Sequence, residues 1–125
     1  MKPPPEDSHR KGRKGEGLAA DFLASKGCRL VERNFRCAAG EIDLIVRDGK
    51  TLVFVEVKSR CGSRFGLPQE SVSIAKQRRL TRLALWYLRE KRFEGHPARF
   101  DVVAVTWSGG KPEVTWIVNA FEALE

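Results

Sequence analysis

A chain of 125 residues, 42% of them hydrophobic, is long enough to bury one real core and too short to divide into two domains. Its 23 lysines and arginines against 16 acids leave a formal net charge of +7 and a pI of about 9.7; that is the electrostatic footprint of a polyanion partner, although many soluble proteins are as basic. No apolar run is long enough for a membrane helix and none near the start reads as a signal peptide, so a membrane partner is not expected and the expected compartment is the cytoplasm.

Residues 1–11, which include Pro3-Pro4-Pro5 and His9-Arg10-Lys11, read as a disordered basic arm ahead of a single domain over 12–125. A first helix is expected from about Arg13 to Lys26, stopped by Gly27, with Leu18, Ala19, Phe22 and Leu23 as its apolar stripe. Glu16 lies on the flank of that stripe. From the residues alone, an acid favoured by the helix N-terminus is the preferred reading, and a group facing the core is the other. A strand from about Arg29 to Arg36 follows. Cys28, Cys37 and Cys61 are an odd set without the paired spacing of a zinc site, and are expected to be free thiols.

Two strong strand patterns then flank Asp48-Gly49-Lys50. Because side chains alternate faces along a strand, Glu41, Asp43 and Ile45 should share one side, and Ile42, Leu44 and Val46 the other. On the second strand Glu56 and Lys58 share a face with Leu52 and Phe54, which should point into the protein. Two acids and a lysine in that row have no packing reason to be there. Two hairpin loops are open: Asp48-Gly49 in a type I′ turn pairs Asp43 with Phe54 and Glu41 with Glu56, whereas Gly49-Lys50 in a type II′ turn sets Asp43 directly across from Glu56. Directly opposed Cβ atoms are about 4.5–5.5 Å apart and diagonal ones about 7–8 Å, so either register lets one divalent cation serve both carboxylates. Without a cation or Lys58 to offset them, the acids repel.

The segment from Arg60 to Pro68 reads as a loop at the mouth of this site, where Arg60 and Arg64 are candidate phosphate clamps. A second helix is expected from about Ser73 to Lys91, with Leu80, Leu83, Ala84, Tyr87 and Leu88 inward. Lys76 falls on the inner stripe, where it either snorkels past the core or reaches the metal site or a phosphate. Arg78, Arg79 and Arg82 read as a surface for a phosphate backbone. The nearly continuous apolar run at 99–107 is how a strand buried on both faces reads, often one in parallel pairing after a helical crossover; a last strand should cover about Glu113 to Val118. Asp101 near the start of the buried strand is explained by that position or by an arginine partner.

The order of helix, three-strand meander, helix and strand, with Asp43 and Glu56-Val57-Lys58 on the second and third strands, resembles the restriction-endonuclease-like fold of the PD-(D/E)XK nucleases. The series Gly40-Glu41-Ile42-Asp43-Leu44-Ile45, Phe54-Val55-Glu56-Val57-Lys58-Ser59-Arg60, Phe65-Gly66 and Arg99-Phe100-Asp101-Val102-Val103 is similar to the YraN family of small bacterial proteins, related to Holliday-junction resolvases. The resemblance runs from Gly12 to Trp107. It implies an α/β fold with a central mixed sheet flanked by helices. It also implies Asp43 and Glu56 as metal-binding carboxylates, the carbonyl of Val57 as a further ligand, Lys58 as the group that orients the attacking water, and Glu16 as a member of the catalytic set. The implied cofactor is Mg²⁺, with Mn²⁺ as a substitute. The implied reaction is in-line hydrolysis of a phosphodiester in structured or single-stranded DNA. The alternative is a non-catalytic nucleic-acid-binding module in DNA processing or uptake. A junction substrate would imply a symmetric homodimer, since two strands must be cut in concert.

Overall fold

A computed structural model describes residues 8–61, 72–107 and 109–124, with side chains from residue 14 onward. The elements are α1 (Ser8–Ser25), β1 (Arg29–Cys37), β2 (Gly40–Asp48), β3 (Thr51–Cys61), α2 (Ile74–Glu90), β4 (Ala98–Trp107) and β5 (Glu113–Phe121). All five strands form one sheet in chain order. β1, β2 and β3 are an antiparallel meander, β3 pairs in parallel with β4 after the α2 crossover, and β5 returns antiparallel on β4. This is the mixed α/β arrangement implied by the sequence.

The burial pattern follows from helices lying on both faces. Leu52, Val53, Phe54, Val55 and Glu56 of β3 are all buried, as expected for a strand covered twice. Val53 and Val55 pack with Ala19 and Leu23 under α1, whereas Leu52 and Phe54 pack with Leu80, Leu83 and Tyr87 under α2. Phe54 meets Tyr87 edge-on at 5.9 Å between ring centroids, a geometry that aromatic quadrupoles favour.

Helix ends differ in how well they were foreseen. α1 stops in a Schellman arrangement, with Gly27 at φ +93° and the amides of Cys28 and Gly27 donating to the carbonyls of Leu23 and Ala24, each at 3.0 Å. Its start is a correction: the helix begins at Ser8, so residues 8–11 belong to it and not to an arm. They carry no apolar periodicity to announce a helix, but arginine and lysine are good helix formers and extend one that is anchored further on. The rest of the expected arm lies outside the described residues. α2 is capped by Ser73, whose side chain accepts from the amide of Lys76 at 3.1 Å.

The hairpin takes the second of the two open registers. Leu44 pairs with Val55 and Asp48 with Thr51, leaving Gly49-Lys50 as the loop. Gly49 has φ +62° and Lys50 keeps a negative φ, as a type II′ turn requires. At this end of the sheet Asp101 is wholly buried and fully satisfied: Arg99 Nε (3.0 Å), Trp116 Nε1 (2.9 Å) and the Asn119 amide (2.9 Å) all donate to it. Arg99 also reaches Asp48 at 2.9 Å. Asp101 therefore ties β4 to β5 and to the hairpin, a structural role. Cys28 and Cys37 are free thiols, as expected. Among the described residues no helix is long and apolar enough to cross a membrane.

Candidate metal centre

The simple alternation expected along β2 fails at Asp43. Leu44 and Val46 pack under α1, yet Ile42, two residues before Leu44, packs in the cluster under α2. The strand turns over between them. In β1, alongside, Asn34 takes a left-handed φ of +51°, a conformation that asparagine tolerates better than most residues. Among the described residues the β2–β3 pairing ends at Leu44↔Val55. In place of the next ladder bond, the amide of Val57 donates to Asp43 Oδ2 at 2.8 Å. Since the N–H and C=O of one residue leave a strand on the same side, the carbonyl of Val57 also faces the gap.

Three carboxylates meet at this split. Glu16 from α1 and Glu41 and Asp43 from β2 bring oxygens within 4.8 Å of one another. Glu16 reaches them because α1 lies hard against β3: a Cβ at Gly15 would stand 2.0 Å from Ser59 Oγ. The amide nitrogen of Asn34, in the orientation that suits its neighbours, donates to Glu41 Oε1 and Glu16 Oε2 at 3.0 Å each. Arg36 Nε stands 3.5 Å from the other oxygen of Glu41. Burial, then the charge of Glu56, push the Asp43 carboxyl up to about 7 against the opposing Val57 amide. Burial likewise raises Glu16, with Asn34 opposing and the charge of Glu41 adding. The donors are all hard oxygens without histidine or thiolate, which fits Mg²⁺ or Mn²⁺ better than zinc or copper.

Glu56 is placed differently from the expected ligand pair. It is 6% exposed and stands outside the acid triad; Lys76 Nζ hydrogen-bonds its Oε1 and Lys58 Nζ lies 3.6 Å from the same oxygen. Burying a carboxylate without such partners is costly. The two lysines are not equivalent. Burial, then the adjacent Lys76 cation, lower the Lys58 pKa. Burial also works against Lys76, but the hydrogen bond and charge of Glu56 outweigh it and raise its pKa. Lys76 thus belongs with Glu56 rather than with the open basic surface where Arg78, Arg79 and Arg82 stand.

Those three arginines line a hollow of about 420 Å³ with Ala39 and Ala75. Arg79 packs on Gly40, the residue before Glu41: a Cβ there would lie 3.2 Å from Arg79 Cδ. Arg60 sits near the end of β3, in register with Thr106 of β4, and Arg64 lies outside the described residues. Glu41 was not among the site residues expected from sequence. Its signal was present, two positions before Asp43 in the same strand.

These features define an α/β protein with an acid cluster and a lysine pair where the second and third strands part. The chain belongs to the uncharacterised protein family UPF0102, the YraN family, whose family model matches residues 15–105. A UPF0102 protein of Symbiobacterium thermophilum is 52% identical over 117 residues, 93% of this chain and 99% of the relative. One from Geobacter metallireducens is 49% identical over 111 residues, covering 89% and 91%. Among solved structures, Pyrococcus furiosus SfsA in complex with Ca²⁺ aligns with a TM-score of 0.39 and 14% identity, over 88% of this chain and 62% of that one.

Proposed function

We propose that this protein is a Mg²⁺-dependent endonuclease that hydrolyses phosphodiester bonds in structured or single-stranded DNA. The observation that carries the reading is the meeting of Glu16, Glu41 and Asp43, with Arg79 of an arginine-lined hollow packed on Gly40, the residue before Glu41. A divalent cation held there would polarise the phosphate and acidify a water. Asp43, fixed by the Val57 amide, and the two glutamates supply the negative charge that seats the ion. Lys76 pairs with Glu56, and Lys58 would orient the attacking water, whose proton passes to bulk solvent. Arg79 and Arg82 balance the charge of the flanking phosphates. The water oxygen bonds to phosphorus as the bond to the leaving sugar oxygen breaks on the opposite side, and that oxygen takes up a proton from solvent to leave as the alcohol.

The second reading, a non-catalytic DNA-binding module, has one observation in its favour: Glu56 is engaged by two lysines and stands outside the acid triad. End-labelled four-way junction, flap, duplex and single-stranded DNA, incubated with Mg²⁺, Mn²⁺ or EDTA, separate the two. Metal-dependent cutting that Asp43→Asn and Lys58→Ala abolish supports the nuclease. Binding without cutting, equal in all three proteins, supports the module.

A further inference from the structure

The arginine-lined hollow continues along α2. Ala75, Arg79, Arg82 and Trp86 recur at spacings of four, three and four, which makes one stripe of the helix. The buried stripe is another one, containing Leu80, Leu83, Ala84 and Tyr87. A second hollow of about 300 Å³ is lined by Cys37, Ala38, Ala39, Arg82 and Trp86. Ala39 and Arg82 border both hollows. Together these form one channel between α2 and the β1–β2 turn, cationic beside Gly40 and aromatic at its other end.

Trp86 is 43% exposed. One side of its indole is propped by Phe35, with centroids 5.7 Å apart and planes 30° from parallel. Phe35 is itself core, edge-on to Tyr87 at 5.0 Å. A tryptophan backed by the core and partly open to water is a ready-made stacking platform. We propose that this channel binds single-stranded nucleic acid, with Arg79 and Arg82 on consecutive phosphates and an unpaired base stacked on Trp86. Charge selects the occupant: among the described residues the channel is lined by three arginines and no acid, which suits a polyanion, and the aromatic end suits a flat base. From Arg79 to Trp86 is about 10 Å of helix at the standard rise. Stacked nucleotides are about 3.4 Å apart along a strand, so the channel accommodates roughly three. A base inside a duplex cannot reach Trp86, so the channel favours single strands, flaps and open junction centres over uninterrupted duplex.

This inference rests on the nucleic-acid reading above but not on cleavage, so it is tested in EDTA. A short oligonucleotide carrying one 2-aminopurine is titrated with wild type, Trp86→Ala, Trp86→Phe and Arg82→Ala, each checked for folding by circular dichroism, with a perfect duplex of the same sequence as control. The expected result is quenching by wild type, single-strand affinity weakened roughly tenfold by Trp86→Ala, most of it kept by Trp86→Phe, and duplex affinity unchanged by either tryptophan variant. Arg82→Ala should weaken both forms. Unchanged quenching and affinity in folded Trp86→Ala, or an equal loss on duplex, overturns the stacking role while leaving the nucleic-acid reading intact. Failure of the wild type to bind any of the DNAs overturns both.

Discussion

The amide of Val57 and the carboxylate of Asp43, 2.8 Å apart, replace a rung of the β2–β3 ladder with a side-chain bond. The substitution holds Asp43 in the gap and leaves the neighbouring strand edge open to a ligand. It also makes Asp43 structural as well as chemical. Asp43→Asn keeps an acceptor for the amide, whereas Asp43→Ala leaves a part-buried donor unmet, a loss of about 1–3 kcal/mol. Urea denaturation should rank stability as Asn above Ala, while both variants lose DNA cleavage. Equal stability of the two would mean that the hydrogen bond contributes nothing.

The raised pKa of Asp43 gives the metal-free protein a defined pH dependence. Its folded value, about 7, lies above the ordinary 3.8. The folded state therefore holds this proton more tightly, and the associated stability is full below about pH 4 and is lost as pH rises through 7. Thermal melts in EDTA should show Asp43→Asn gaining on wild type between those limits and levelling off above them. Added Mn²⁺ at pH 8 should raise the Tm of wild type by mass action and leave Asp43→Asn unmoved. A stability difference independent of pH would count against the buried, repelled carboxylate.

Lys76 forms the closer of the two ion pairs on Glu56, with Glu56 at 7% side-chain exposure and Lys76 at 32%. Removing the lysine leaves Glu56 to Lys58 alone. Because Lys76 is partly solvated, the full penalty of breaking a buried pair does not apply, and Lys76→Met should cost about 1–3 kcal/mol. Adding Glu56→Gln should return part of that loss. A double-mutant cycle by denaturant unfolding reads the coupling directly, and additive losses would show that the pair is not coupled.

Gly15 sets how closely Glu16 approaches β2. A methyl there meets Ser59 Oγ at 2.0 Å, so Gly15→Ala should lift α1, lower stability by about 1–3 kcal/mol and weaken cation binding. The Cβ of Ser59 is 3.4 Å away, so Ser59→Ala in the same chain should restore most of both. If the double variant is as impaired as Gly15→Ala, the contact is not what positions the helix.

Much of this was legible in the sequence because one-residue chemistry announced it. The nearly continuous apolar run of β4 marked a strand buried on both faces, Gly27 marked the end of α1, and Asp43, Glu56 and Lys58 stood out as charges in rows that should be apolar. The hairpin register was limited to two choices by Asp48-Gly49-Lys50, and only the pairing of Asp48 with Thr51 decides between them. The rest depended on tertiary geometry. Strict alternation hid the turnover at Asp43, which needs the left-handed Asn34 alongside. Glu41 is recruited by that turnover and by Asn34, and Lys76 finds Glu56 only once α2 crosses the sheet. The start of α1 at Ser8 had no apolar pattern to reveal it.

The sharpest single measurement is Mn²⁺ binding followed by electron paramagnetic resonance, with wild type, Asp43→Asn, Glu41→Gln and Glu56→Gln compared at pH 8. A cation seated by Glu16, Glu41 and Asp43 predicts one bound Mn²⁺ per wild-type chain, lost in Asp43→Asn, clearly weakened in Glu41→Gln and less affected in Glu56→Gln. Wild type that binds no Mn²⁺, or binds it as well after Asp43→Asn, would contradict the metal centre and with it the proposed chemistry.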